Sequence, residues 1–359
     1  MITAADAPYM ARALTLARLG LFTTHPNPRV GCVIVREGAI VGEGFHERAG
    51  LAHAERVAIA QAQDACRGAT AYVTLEPCCH TGRTPPCTEA LLEAGVARVV
   101  AAMEDPDPRV QGRGIALLQA NHIVVDVGLM RGEAERLNRG FISRVTRDRP
   151  FVVAKVAVSL DGRTALANGE SQWITGPDAR ADVQRLRAQS SAILTGMGTI
   201  RGDDPRLSVH GGASRNPLRV VIASEPSLSA KARVIAEPGG VLLLTIAEGP
   251  GAAALRAAGV EVVAVGGRGH AVDLPAALSF LATRGVNDLL VEAGPRLVAS
   301  LMNDHLIDEL RVYMAPSLLG SGRGLADLRL ASLNEQHRWR YDDVRRIGRD
   351  LRLILAPES

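Results

Sequence analysis

The chain has 359 residues, 47% of them hydrophobic and 22% charged, with a net charge of +3. That length suits two domains, and the balance excludes a disordered chain, a collagen-like repeat and a small disulfide scaffold. With no basic block and only 3% aromatic residues, it also argues against nucleic-acid and membrane partners.

The opening MITAADAPYMARAL carries acidic Asp6 and no basic stretch ahead of an apolar core, so no signal peptide and a cytoplasmic location are expected. The longest apolar run, Val241 to Ala247, is too short to span a bilayer. Val30–Val35 and Ile40–Phe45 flank Arg36-Glu37-Gly38 and read as a hairpin. A helix is predicted from near His53 to about Ala65 and a strand over Ala71–Leu75, with Pro77-Cys78 at the start of a helix. Val96–Ala102, Gly112–Ala120 and Ile123–Val127 follow as strand, helix and strand. This alternation predicts a layered α/β domain. The polar segment Arg144–Pro150, ending in proline, reads as a linker, giving domains 1–146 and 147–359. Beyond it, strands are predicted over Phe151–Leu160 and near Ser191–Thr195, Leu218–Ala223, Val241–Thr245, Val260–Val265, Asp288–Val291 and Glu309–Met314. No repeat relates the halves.

Five cysteines, three of them within ten residues, point to metal or catalysis rather than disulfides. His53, Cys78 and Cys87 offer one imidazole and two thiolates, a three-ligand set for zinc that leaves a fourth position to water. Glu55, two residues after His53, suits a non-ligating proton carrier, the His-x-Glu and Pro-Cys arrangement of zinc deaminases. The spacing departs from Pro-Cys-x-x-Cys, because position 81 is Thr and the next usable thiol is Cys87. The Gly- and Pro-rich excursion between them lets Cys87 return. Cys79 is the alternative to Cys78, which is favoured by its place after Pro77. A closed structural site with His80 or His46 as fourth ligand, or unrelated thiols, are the competing readings. Upstream, Asn27 in HPNPRVG is either a plain Asx-turn or an amide that reads donors and acceptors on a heterocycle.

In the second half, Lys155 interrupts the apolar run FVVAKVAVSLDG and shares a strand face with Ala157 and Ser159. Such an ammonium is either paired and functional or snorkels to solvent. Gly176-Pro177 starts a helix carrying Arg185 and Arg187, and glycine joints follow at Gly196-x-Gly198 and Gly294-Pro295. Two strand–glycine–helix joints suit a dinucleotide, although G-x-G-x-x-G is missing.

The segments TTHPNPRVGCVIV, HAE, TLEPCCHTGRTPPC and EDPDPRVQGRG resemble the deaminase half of the bifunctional riboflavin-biosynthesis deaminase–reductase family. KVAVSLDGRTA, GESQWITG, ILTGMGTIRGDDPRL, VEAGPRL and DELRVYMAPSLLG resemble its reductase half. The resemblance implies an N-terminal zinc cytidine-deaminase-like domain followed by a dihydrofolate-reductase-like domain that uses NADPH. It implies His53, Cys78 and Cys87 as Zn2+ ligands and Glu55 as proton shuttle, with Cys79 outside the set. It implies NADPH contacts from Ala157, Trp173, Thr199, Asp203 and a loop of Gly294, Pro295, Arg296, Leu297, Val298, Ala299 and Ser300. The ribosyl phosphate substrate is expected at Lys155, Ser171, Arg187, Leu207 and Glu292, and at Asn27 in the first domain. His210 stands where relatives can carry a substrate-binding arginine, so Arg206 is expected to share that role. Ala223 replaces an acidic residue often seen before Ser224. A homo-oligomer through the reductase domain, a small pyrimidine ribosyl phosphate as substrate, and no nucleic-acid partner are expected. A nucleic-acid base deaminase would instead need a basic, aromatic channel, and a non-catalytic zinc protein would have no use for Glu55.

Overall fold

The computed structural model describes residues 1–81, 85–210 and 215–358. The Cys79–Pro86 excursion therefore includes three positions, 82–84, outside the described residues. The chain divides into two compact units, Met1–Asp148 and Arg149–Ser359.

The first unit is built on five strands, β1 (Gly31–Arg36), β2 (Ala39–Phe45), β3 (Thr70–Val73), β4 (Arg98–Ala101) and β5 (Val124–Val127). Their order is β2-β1-β3-β4-β5, with β1 antiparallel to β2 and β3, and the rest parallel. The helices are α1 (Ala7–Ala17), α2 (Ala54–Ala62), α3 (Cys87–Glu93), α4 (Arg113–Ala120) and α5 (Arg131–Arg147). Alternation along β1 sends Cys32 and Ile34 to one face and Val33 and Val35 to the other. The first face packs Ala54, Ala58, Leu91 and Leu118 of α2, α3 and α4. The second packs Met10, Ala13 and Leu14 of α1 and Ala134 of α5. The result is a helix–sheet–helix sandwich.

Two glycines bring α2 directly onto β2. A Cβ on Gly42 would lie 2.3 Å from the Ala58 carbonyl oxygen, and one on Gly44 2.3 Å from that of Ala54. Only bare backbone permits this approach.

The expected linker is not a loop. Residues 144–147 form the last turn of α5, and the chain leaves the helix at Asp148, whose φ is 51°. The segment reads as polar because α5 buries a narrow stripe, Ala134, Asn138, Phe141 and Ser143, and leaves its remaining faces charged. Nor does a helix start at Pro77-Cys78. Helix α3 begins instead at Cys87.

The second unit continues with β6 (Phe151–Ser159), β7 (Arg163–Leu166), β8 (Ala192–Gly196), β9 (Leu218–Ile222), β10 (Val241–Thr245) and β11 (Val260–Ala264). Then come β12 (Gly267–Arg268), β13 (Ala271–Val272), β14 (Asp288–Val291), β15 (Glu309–Ala315), β16 (Gly322–Gly324), β17 (Trp339–Ile347) and β18 (Asp350–Pro357). Its helices are α6 (Pro177–Gln189), α7 (Met197–Asp203), α8 (Arg233–Ala236), α9 (Ala252–Ala257), α10 (Leu274–Thr283) and α11 (Pro295–Asn303). Nine strands form one sheet in the order β11-β10-β9-β8-β14-β6-β15-β18-β17. It is parallel as far as β15 and closed by the antiparallel β17–β18 hairpin. One face of the sheet packs α10 and α11, the other α6, α7 and α9. Central strand β6 sends Val152, Ala154, Val156 and Val158 to the first face and Val153 to the second. Among the described residues, no helix is long and apolar enough to cross a membrane.

Candidate active sites

In the first unit, His53 is the N-cap of α2, Glu55 lies in its first turn and Cys87 opens α3. Cys78 follows β3. The His53 Nδ1 lies 3.6 Å from Cys78 Sγ and 3.3 Å from Cys87 Sγ. Zinc bonds of about 2.3 Å to sulfur and about 2.0 Å to nitrogen at a tetrahedral angle put those atoms about 3.6 Å apart. The three donors therefore fit zinc, with Nδ1 as the nitrogen ligand. Cys79, His80 and His46 do not join this group among the described residues. The set offers three protein ligands.

The helix N-terminus that faces Cys78 comes from α3, not from Pro77. The Cys87 backbone N–H, at the start of α3, donates to Cys78 Sγ at 3.4 Å. Hydrogen bonds from Cys87 and His53 hold the Cys78 thiol well below the ordinary thiol range, whereas the same pairing and burial push the Cys87 thiol up. Glu55 is 3% exposed. Burial pushes its carboxyl up to about 7, and the Cys78 charge adds to that. A group at that value can both take and return a proton near neutral pH.

Asn27 reaches this site through His46. Its Nδ2 lies 3.0 Å from His46 Nε2, and the His46 ring stands edge-on to His53 with centroids 5.2 Å apart. Burial pushes the His46 imidazole down. Behind the cysteines, the Glu76 carboxylate accepts backbone N–H groups from Asp105 (3.0 Å), Gly112 (2.9 Å), Gly114 (2.9 Å) and Ile115 (3.2 Å). That carboxylate ties the EDPDPRVQGRG segment to the Pro77-Cys78 turn. A Cβ on Gly114 would come within 2.1 Å of the Pro77 oxygen. Asp105, inside this segment, is also buried, and burial pushes its carboxyl up to about 7. The acid–proline run EDPDP gives no sign in the sequence that Asp105 is buried.

In the second unit, one cleft of about 2220 Å³ runs along the C-terminal ends of the parallel strands. Ligands bind at that end of open α/β sheets. It brings together Lys155, Ala157, Ser171, Trp173, Arg187, Thr199, Asp203, Arg206, Leu207, His210 and Glu292. Of the Gly294–Ser300 group, Gly294, Pro295, Arg296, Leu297 and Ser300 line it. Val298 and Ala299 do not: they are 0% and 3% exposed and lie on the inward side of α11. The expected loop is the N-cap and first turns of that helix, so its residues alternate between cleft and core.

Lys155 does not snorkel. Its Nζ lies 2.9 Å from Glu292 Oε2, and Arg187 Nε donates to Glu292 Oε1 at 2.5 Å. Burial alone would raise the Glu292 carboxyl, but the Lys155 and Arg187 charges hold it well below the carboxylate range. The Ser171 hydroxyl donates to Asp203 Oδ1 at 3.0 Å, and the Gly294 N–H donates to Thr199 Oγ1 at 3.0 Å. Arg206 pairs with Glu237, and the His210 N–H donates to Gln184 Oε1 at 3.1 Å. Ala223, though buried, lines the cleft beside Ser224. Sequence reading missed Arg180, whose guanidinium lies 4.8 Å over the Trp173 ring. It also missed Tyr313, which lines the cleft and donates to Asp182 Oδ2 at 2.7 Å.

Residues 150–353 match the family model for the RibD C-terminal domain, and residues 3–103 that for the cytidine and deoxycytidylate deaminase zinc-binding region. The riboflavin biosynthesis protein RibD of Escherichia coli K12 is 47% identical, over 98% of this chain and 99% of that protein. Its Haemophilus influenzae counterpart is 44% identical, over 99% and 98%. The structure of Acinetobacter baumannii RibD, form 1, superposes with a TM-score of 0.92 at 40% identity, covering 99% of both chains. That of a Thermotoga maritima diaminohydroxyphosphoribosylaminopyrimidine deaminase/5-amino-6-(5-phosphoribosylamino)uracil reductase gives 0.89 at 34% identity, again over 99% of both.

Proposed function

The chain belongs to the bifunctional riboflavin-biosynthesis deaminase–reductase family, and from that premise we propose how its residues divide the work. It is a zinc-dependent deaminase of 2,5-diamino-6-(5-phosphoribosylamino)pyrimidin-4-one and an NADPH-dependent reductase of the resulting 5-amino-6-(5-phosphoribosylamino)uracil, whose ribosyl group becomes ribityl.

We assign deamination to residues 1–146 and reduction to residues 147–359. The observation that carries the first assignment is a buried, non-ligating carboxyl, Glu55, beside the His53–Cys78–Cys87 set. Zinc held there supplies Lewis-acid activation of water. Glu55 would take the proton from the attacking water as its oxygen bonds to the ring carbon, and return it to the amine as the C–N bond breaks and ammonia leaves. Asn27 orients the pyrimidine. Burial of Glu55 keeps bulk solvent from short-circuiting the transfer.

In the second unit, NADPH supplies the hydride to the ribosyl C1. Ala157, Trp173, Thr199, Asp203 and the cleft side of 294–300 hold the cofactor, with Val298 and Ala299 anchoring that helix in the core. Ser171, Arg187, Arg206, Leu207, His210 and Glu292 hold the substrate. Lys155 lends positive charge where the ribosyl ring oxygen becomes a hydroxyl.

The test incubates zinc-loaded protein with the diamino compound and identifies products by mass. Without NADPH the amino group should be exchanged for oxygen and the reaction should stop. With NADPH the product should gain two hydrogens. An unchanged mass in both reactions overturns the reading.

Two further assignments accompany it. The five free cysteines support a reducing compartment, the cytoplasm. Self-association through the second unit is supported by β17, the terminal strand of the sheet, where Tyr341 is 66% and Val344 53% exposed. Light scattering should give a mass above that of one chain, reduced by Val344→Glu.

A further inference from the structure

We propose that His46 is a positioning residue that fixes which way round the Asn27 amide faces, so that Asn27 offers the substrate an acceptor oxygen. The inference rests on the deaminase reading above.

His46 is 3% exposed, so its hydrogen bonds are with protein. Its Nδ1 lies 3.2 Å from the Ala52 carbonyl oxygen. A carbonyl can only accept, so Nδ1 carries the ring proton. In the neutral ring, Nε2 is then a bare acceptor. The group facing it at 3.0 Å must be a donor, and this is the Asn27 Nδ2. The alternative amide orientation would set Oδ1 against the Nε2 lone pair, acceptor against acceptor. The Ala52 carbonyl therefore dictates, through the ring, the orientation of an amide 25 positions earlier in the chain.

The consequence is at the other end of the amide. Asn27 is only partly buried, and among the described residues its Oδ1 receives no protein donor. One N–H of Nδ2 is committed to His46, which leaves Oδ1 and the second N–H open. The Asn27 amide is held on His46, whose ring packs edge-on against His53, so it lies in the neighbourhood of the proposed zinc ligands. An amino group on a heterocycle, a donor, matches Oδ1. A carbonyl at the same point would meet oxygen with oxygen. An amide free to turn could greet either, so fixing it converts Asn27 from a tolerant contact into a selective one.

Deamination kinetics of the zinc-loaded full chain, with metal content measured in each variant, test this. His46→Phe keeps a planar ring but removes both hydrogen bonds. It should raise KM by about tenfold, the scale of one well-made hydrogen bond, with kcat within about twofold. Asn27→Ala should raise KM by at least as much. In the double variant His46→Phe should add nothing, because the residue it positions is gone. His46→Gln can still donate to Ala52 and accept from Asn27, so it should recover most of the lost affinity, which a role in ring packing would not allow. If the two KM effects multiply in the double variant, His46 acts independently of Asn27 and the proposal fails. It also fails if His46→Phe loses zinc, or if Asn27→Ala binds substrate normally. Those failures leave the deaminase reading standing. That reading falls separately, if the unaltered enzyme does not release ammonia from the diamino compound.

Discussion

Glu55 and Glu292 are both buried glutamates, 3% and 8% exposed, and their surroundings drive them in opposite directions. Glu55 has desolvation and the Cys78 thiolate against its charge, and its carboxyl is pushed up to about 7. Glu292 suffers the same desolvation, but Lys155 and Arg187 outweigh it and hold the carboxyl well below the ordinary range. The lesson is that burial alone assigns no role. The first carboxyl is poised to exchange a proton, whereas the second is a fixed anion that keeps two cations charged and in place.

The contrast breaks most visibly at Glu55. Glu55→Gln keeps the shape but cannot carry a proton. Deamination should fall by roughly 10²–10⁴-fold, the range typical of general acid–base groups. Zinc content should persist, and reduction of separately supplied 5-amino-6-(5-phosphoribosylamino)uracil should continue. Near-normal deamination would show that another base does the work.

Glu292→Gln should instead act on structure and charge. It leaves Lys155 and Arg187 buried without their counter-ion, a change that costs about 3–5 kcal/mol in comparable buried pairs. Chemical denaturation should report that loss in the second unit, and reduction should fail while deamination continues. The same variant sharpens the comparison against pH. Because its folded value is depressed, Glu292 contributes stability in full above its ordinary value near 4.5 and loses it as pH falls below that. The unaltered chain should therefore lose stability more steeply below pH 4.5 than Glu292→Gln does. Parallel acid limbs would mean that the triad is not the source.

How much of this could be read from the sequence depended on the distance between partners. His53 and Glu55 are adjacent on one helix turn, and Cys78 and Cys87 are joined by one short excursion, so their grouping could be read from spacing. The reason given for Cys78 could not: the helix N-terminus that faces it belongs to Cys87. The pairing of Lys155 and Arg187 with Glu292 was illegible. It depends on β6 and β14 lying side by side, and Arg187 and Glu292 are 105 positions apart. Two open readings of Lys155 were all that the pattern allowed. The last turn of α5 passed for a linker because a helix with one narrow buried stripe looks polar throughout. Val298 and Ala299 were grouped with cleft residues because a motif read as a string ignores which side of a helix each position takes.

Glycines 42 and 44 have one more consequence. Most helix–sheet contacts are cushioned by side chains that can change rotamer, so small errors in spacing are absorbed. Between α2 and β2 there is no cushion: the Ala54 and Ala58 carbonyls rest on bare strand backbone. The separation is set by atomic radii, like a machined shim. Ala54 lies between His53 and Glu55, so that shim sets the height of both side chains together. A single methyl group at Gly44 would disturb the chemistry while leaving every reacting side chain in the sequence, and its effect would be indistinguishable in an activity screen from damage to the reacting groups themselves.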